Sequence, residues 1–304
     1  VKKRRVRDMA ASVHQRLIER SRQTGRPFNE LLQYYAMERF LYRLSKSAFS
    51  DRFILKGALM LAVWKAPVSR PTRDMDFLGR MENDVSAIRA AVRDICATEV
   101  EPDGLEFDPE TARAERIAED ADYEGVRVHF QGNLGSARIS MQFDVGFGDV
   151  VVPCPRRIEY PTIIGMPAPV LTGYSKESTI AEKFEAMVIL GPLNSRMKNF
   201  FDIWLLSRMF EFAGETLASA ISSTFRTRNT DISQYSSVFS PEFMADKSKA
   251  TQWGAFLRRT AIEDAPSQFS AVVEQISVFL APPGEALAKG IGFKKSWRSP
   301  GPWR

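Results

Sequence analysis

Across residues 9–25 and 28–45 the apolar positions recur three and four apart, the second run carried by Leu31, Leu32, Tyr35, Met37, Phe40, Leu41 and Leu44. That spacing lines one side of a helix, so two amphipathic helices are expected at the start. Residues 51–57 are a short apolar run stopped by Gly57, and 58–65 reads as helix until Pro67. Toward the end of 70–79 polar and apolar residues alternate. Asp74 and Asp76 should therefore leave one face of a strand and Met75 and Phe77 the other. Residues 82–100 carry Val85, Ile88, Ala91, Val92 and Ile95 at helical spacing, while 126–130 and 137–145 alternate as strands.

Beyond a proline-punctuated stretch at 152–170, helices are expected over 175–190, 197–210, 215–225, 241–257 and 267–280. The segment 299–304 is too short and proline-rich to form an element, so Trp303 either packs on the body or hangs free. The pattern predicts an α/β core of strands and covering helices. Three regions follow: an N-terminal helical segment at 1–50, the α/β core at 51–170 and a helical C-terminal region at 171–304.

Composition narrows the chemistry. Hydrophobic residues make up 44% of the 304, enough for a sizeable core and against overall disorder. No apolar run approaches the roughly 20 residues that cross a bilayer, and the basic residues Lys2, Lys3, Arg4, Arg5 and Arg7 precede nothing like a signal peptide. A cytoplasmic protein without a membrane partner is expected. Two cysteines and two histidines leave no zinc-ligand spacing, so any metal must rest on oxygen. The net charge of +5 gathers at the two ends and favours a polyanionic partner without specifying one. His14, on a helix, and His129, in a strand, lie near no nucleophile motif and read as structural.

Two carboxylates on one strand face suit hard divalent ions such as Mg²⁺. Asp144, near the end of another expected strand, adds a third if its strand lies alongside. An isolated Asp-x-Asp is commonly a solvated edge. Here it follows an apolar strand, Lys56-Gly57, a helix and Arg70-x-Thr72, an order in which glycine at a helix start would let phosphate approach free N–H groups.

The blocks Phe53-Ile-Leu-Lys-Gly-Ala-Leu-Met-Leu61 and Arg70-Pro-Thr-Arg-Asp-Met-Asp-Phe-Leu78, continued by residues 175–183 and by Asn194-Ser-Arg-Met-Lys-Asn-Phe-Phe-Asp-Ile-Trp204, resemble the AbiEii/AbiGii-type nucleotidyltransferase toxins. Those belong to the DNA polymerase β-like superfamily. The resemblance implies a polymerase β-like core, a mixed sheet with covering helices, completed by the helical C-terminal region. It implies catalytic roles for Asp74, Asp76, Lys183 and Asp202, with metal on Asp74, Asp76 and, less directly, Asp144. Gly57 would lie beneath the nucleotide phosphates with Lys56 beside it. Ala58 stands where the superfamily has a second glycine or a serine, which removes a hydroxyl contact.

Other residues have plainer readings beside the functional ones. Lys183 flanks the apolar stripe of Ile180, Phe184, Met187 and Val188 and can reach along its stem toward phosphate, or be solvated. Lys198 and Asp202, four apart, would make an ordinary surface ion pair. Arg196 offers a guanidinium fork to a triphosphate. Thr72 is placed to touch a nucleotide phosphate or to accept a modification, against the plainer reading of a backbone-bonded strand residue, and a loop bearing Pro67 and Pro71 is expected to bulge over the site.

The function expected is a toxin of a toxin–antitoxin or phage-defence system that moves a nucleoside monophosphate from an NTP to an RNA end, tRNA first, with Mg²⁺, and is opposed by a separately encoded antitoxin. The alternatives are a phosphotransferase or protein-nucleotidylating enzyme, and a non-catalytic module that binds nucleic acid or a partner protein.

Overall fold

The computed structural model describes residues 8–66, 71–120, 123–262 and 264–304, and the side chains of all of these except 118–120 and 123. The N-terminal run Lys2–Arg7 and Pro67 of the expected loop lie outside the described residues. The chain divides into two compact units, one drawn from residues up to 65, 71–147 and 156–173, the other from 148–155 and 174–304.

The first unit begins with α1 (Met9–Thr24) and α2 (Phe28–Lys46). Asp8 caps α1 by accepting from the Ala11 N–H, and Gly25 ends it with φ of 70°. Then come β1 (Phe53–Lys56), α3 (Leu59–Val63), β2 (Asp74–Gly79), α4 (Val85–Ala97), β3 (Leu105–Asp120), β4 (Tyr123–Leu134), β5 (Ala137–Gly146), β6 (Arg156–Glu159) and β7 (Val170–Gly173). The strands form one mixed sheet in the order β3-β4-β5-β2-β1-β7-β6. The expected α/β core of strands and covering helices is thus observed.

In the interior of this sheet β2 pairs antiparallel with β1 and parallel with β5. Phe77 and Phe143, on neighbouring strands, stack with centroids 4.4 Å apart, and Phe53 meets Phe143 at 5.1 Å. Phe40 of α2 reaches Phe130 at 4.8 Å and Phe143 at 5.8 Å, so α2 covers this apolar face. The opposite face of β2 and β5 is left for Asp74, Asp76 and Asp144.

Several elements differ from the expectation. The strand β3 was not foreseen: it is an edge strand carrying Glu106, Asp108, Glu110, Arg113 and Glu115, and a register shift between Asp108 and Arg113 breaks its alternation. The helix expected over 58–65 is only Leu59–Val63, that over 82–100 is Val85–Ala97, and the proline-punctuated stretch holds β6 and ends on the first residue of β7.

The second unit contains α5 (Lys176–Leu190), α6 (Met197–Met209), β8 (Phe212–Ala213), α7 (Gly214–Thr227), α8 (Pro241–Met244), α9 (Lys247–Thr260), α10 (Phe269–Ala288) and β9 (Ser296–Trp297). The single helix expected over 241–257 is split because Asp246 caps a new one, its carboxylate accepting from the Ser248 and Lys249 N–H groups. The last helix continues through Pro282 and Pro283. The terminal segment is built in: Trp303 stacks on Phe279 with centroids 5.7 Å apart, its indole N–H donates to the Phe279 carbonyl at 2.8 Å, and it bridges to Trp297.

Candidate metal centre and surrounding residues

The two-residue repeat of β2 buries Met75 and Phe77 and turns Asp74 and Asp76 to the other face, where both are half-buried. In register, Asp76 lies beside Asp144 of β5, and Asp74 beside Gln142. One carboxylate oxygen from each of Asp74, Asp76 and Asp144 lies within 4.8 Å of the other two. A row of charge therefore crosses four strands: Lys56 opposite Asp76, Asp76 beside Asp144, and Asp144 opposite Arg127.

Arg127 was not singled out in the sequence. Its Nε donates to Asp144 Oδ1 at 2.9 Å and its Nη2 to Oδ2 at 2.7 Å, while Gln142 Nε2 donates to Oδ2 at 2.9 Å. These bonds orient a carboxylate that is only 4% exposed. The bond to Asp144, and then the charges of Asp144, Asp74 and Glu115, hold the guanidinium above its ordinary pKa against the opposing effect of burial. Cross-strand neighbours of this kind are set by register, so sequence separation hides them.

Gly57 has φ of +71°, and a Cβ placed on it would lie 2.0 Å from Asp76 Oδ2. Glycine is therefore required both for the turn and for the carboxylate that packs against it. Because α3 has five residues, its N-terminus contributes little dipole to a phosphate. Lys56 is 7% exposed at the end of β1. Thr72 is buried; its hydroxyl donates to Asp74 Oδ1 and its N–H to the Tyr34 hydroxyl oxygen at 3.1 Å. The threonine thus positions the first carboxylate, and its bond is to a side chain where the plainer reading expected backbone.

The second unit holds the remaining sequence-derived candidates. Lys183 Nζ lies 2.9 Å from Asp202 Oδ2, a pair linking α5 to α6 with side chains 14% and 2% exposed. The surface pair expected between Lys198 and Asp202 is replaced by this buried one, since the helix turns Asp202 inward while Lys198 stays exposed. Arg196 is the N-cap residue of α6 and is half-buried; its N–H donates to Asn194 Oδ1 at 2.8 Å. A further buried network escaped the sequence reading. Arg228 meets Asp149 at 2.9 Å and Glu185 at 3.0 Å, with Glu182 at 3.9 Å, and the Tyr174 hydroxyl donates to Glu182. Burial disfavours the Arg228 charge, but these carboxylates outweigh it and keep the guanidinium protonated.

The family model described as the nucleotidyl transferase AbiEii toxin of type IV toxin–antitoxin systems matches residues 39–275, more than half of the chain. The chain belongs to the AbiEii family. It is thereby a nucleotidyltransferase toxin of a toxin–antitoxin system, with an antitoxin as a separate partner. Two solved structures from Helicobacter pylori are similar to this AbiEii chain. JHP933 is 14% identical with a TM-score of 0.48, covering 86% of this chain and 94% of its own. A protein described as a candidate nucleotidyltransferase is 14% identical with a TM-score of 0.44, covering 95% of this chain and 100% of its own. No curated protein matches the chain. No helix among the described residues of this AbiEii protein is long and apolar enough to cross a membrane.

Proposed function

We propose that this AbiEii protein transfers a nucleoside monophosphate from an NTP to the end of an RNA, with tRNA as the acceptor, using Mg²⁺ held by Asp74, Asp76 and Asp144. The observation that carries the reading is the convergence of three carboxylates on interior strands, within 4.8 Å of one another. The donor set fits: hard oxygens, no sulfur or imidazole, on rigid elements that need not rearrange. When bound, magnesium neutralises phosphate charge and lowers the pKa of an attacking hydroxyl.

The chain's own residues do the rest. Gly57 gives the Asp76 carboxylate room to pack against the turn that follows β1, and Lys56, in register with that carboxylate, places positive charge beside it for a nucleotide phosphate. Thr72 and Arg127 each hold one carboxylate of the cluster in orientation. In the second unit, Lys183 and Arg196 are cations suited to binding phosphate, and Asp202 fixes Lys183. The acceptor oxygen forms a bond to the α-phosphorus as the bond to the pyrophosphate oxygen breaks.

The test is incubation of the full chain with each α-³²P-labelled NTP, Mg²⁺ and total tRNA, beside Asp76→Ala. Label on RNA that disappears in the variant is the expected result, and it names the nucleotide. Asp76→Ala with undiminished transfer sinks the proposal. Label on protein in place of RNA would move it to a protein-modifying enzyme.

A further inference from the structure

The carboxylate cluster stands on a face of the sheet that continues across β5 and β4. In the row that crosses it, Lys56 marks the β1 end and Arg127 the β4 end. Transfer in line sets the leaving phosphates and the attacking hydroxyl on opposite sides of the α-phosphorus. With the nucleotide phosphates beside Lys56, the acceptor therefore approaches over β5 and β4.

The side chains on that stretch of the face suit a polyanion. Along β4 the positions that follow Arg127 on this face are His129, Gln131 and Asn133, and on β5 Arg138, Ser140 and Gln142 lead up to Asp144. Apart from Asp144, these positions hold no acid and no apolar side chain, although the chain as a whole has 37 acidic residues to 42 basic ones. An ordinary solvated face mixes both signs. His129, Gln131, Arg138 and Ser140 are exposed, and among the described residues none of these four side chains has a hydrogen bond or ion pair. From Arg127 to Asn133 the strip runs about 20 Å.

On β3 the acids return and bound the strip. Glu115 lies opposite Arg127, Asp108 opposite Gln131 and Glu106 opposite Asn133. Regular pairing continued from Asp108 would have set Glu110 against His129. The register shift between Asp108 and Arg113 sets Arg113 there in its place, so the acidic border is broken by a cation at the imidazole. Arg113 Nη1 donates to the Glu110 and Ala112 carbonyls at 2.9 and 3.1 Å, and among the described residues the guanidinium has no carboxylate partner.

We infer that this strip is the track on which the single-stranded end of the acceptor RNA lies, with a backbone phosphate held by Arg113 and the neighbouring base stacked on His129. Unpaired RNA is recognised by stacking its bases on flat side chains, histidine among them, and by hydrogen bonds to base edges, which the amides of Gln131 and Asn133 supply. His129 is one face position, about 7 Å, along β4 from Arg127. The stacked nucleotide is thus at or next to the one whose hydroxyl reaches Asp144. The inference rests on the reading of an RNA acceptor, but it concerns binding and can be measured without transfer.

The experiment is fluorescence anisotropy of a 5′-labelled single-stranded RNA oligonucleotide titrated with the full chain, without NTP, across a range of NaCl. His129→Ala should weaken binding about tenfold, as for one lost stack, and His129→Phe should restore it. Arg113→Ala should weaken it several-fold and reduce the slope of log affinity against log salt by about 0.7, as for one phosphate contact on a single strand. Arg138→Glu replaces an exposed side chain that has no partner among the described residues. It should also weaken binding several-fold, and in the transfer assay raise the KM for RNA without moving that for NTP. Arg20→Ala, which removes an exposed cation from α1, should leave affinity unchanged. RNA affinity unaltered in both His129→Ala and Arg138→Glu would overturn the inference, as would an equal loss in Arg20→Ala or the absence of RNA binding by the wild type. A raised KM for NTP with that for RNA unmoved would overturn it too, reassigning the strip to the nucleotide. The two readings fail separately: RNA binding with the expected variant pattern but no transfer by the wild type leaves the track and removes the enzyme reading, and transfer with His129→Ala and Arg138→Glu binding normally does the reverse.

Discussion

Arg127 grips both oxygens of Asp144, at 2.9 and 2.7 Å, from the strand directly opposite. The guanidinium supplies positive charge to a cluster of three carboxylates. Arg127→Ala should therefore destabilise the protein by about 1–3 kcal/mol in EDTA, the usual worth of charge-assisted hydrogen bonds. Mg²⁺ should restore a larger share of the melting temperature to the variant than it adds to the wild type. Thermal unfolding with EDTA and with Mg²⁺ checks this; equal gains in both proteins would mean that Arg127 and the cation do not share Asp144.

Gly57→Ala combines a steric clash with backbone strain, since the added carbon would fall 2.0 Å from Asp76 Oδ2 at a residue with φ of +71°. The left-handed conformation alone costs a non-glycine residue about 1–2 kcal/mol. The expected outcome is a folded protein with a lowered melting temperature and Mg²⁺ affinity reduced at least tenfold, because Asp76 must move. Isothermal calorimetry of Mg²⁺ binding reads this, and unaltered affinity would show that Asp76 is not a ligand.

The buried Lys183–Asp202 pair separates stability from chemistry. Removing one partner, as in Lys183→Met, leaves a carboxylate that is 2% exposed without its cation and should cost about 3–5 kcal/mol. Lys183→Met with Asp202→Leu should regain most of that stability in denaturant unfolding. If the pair acts on phosphate, the double variant is stable and inactive; a stable and active double variant would reduce the pair to a link between two helices.

Glu38 makes stability depend on pH. Burial pushes its carboxyl up to about 7, against the opposing pull of Arg39 and of the Ile163 N–H. A carboxyl raised in this way contributes fully below its ordinary value of 4.5 and loses the contribution as pH rises through about 7. Between pH 5 and pH 8 the wild type should lose up to about 3 kcal/mol relative to Glu38→Gln, which does not titrate. Parallel unfolding curves for the two proteins across that window would contradict it.

What was legible depended on how far the information lies along the chain. The alternation Asp74-Met75-Asp76-Phe77 is local, and a period of two settles which side chains share a face. Asp144 could be named because it falls in an alternating run, but only the parallel pairing of β5 with β2 brings it beside Asp76. Arg127 and the Lys183–Asp202 pair had no such local mark: one depends on antiparallel register, the other on two helices meeting. The edge strand β3 was hidden by the charges that protect it from pairing with another chain. Asp246 shows the converse, a local signal that could have been read, since an aspartate before Lys247 is an ordinary helix start.

The interior position of β2, hydrogen-bonded on both sides, carries a consequence for motion. Strands at the margins of a sheet open through small local fluctuations, whereas an inner strand gives up its amide protons only when the unit as a whole comes apart. The amides of Met75 to Leu78 should be among the slowest to take up deuterium, far slower than those of β3 and β6. The spacing of the carboxylates would then persist through the everyday breathing of the molecule, and binding a cation would need little ordering of the strand that receives it.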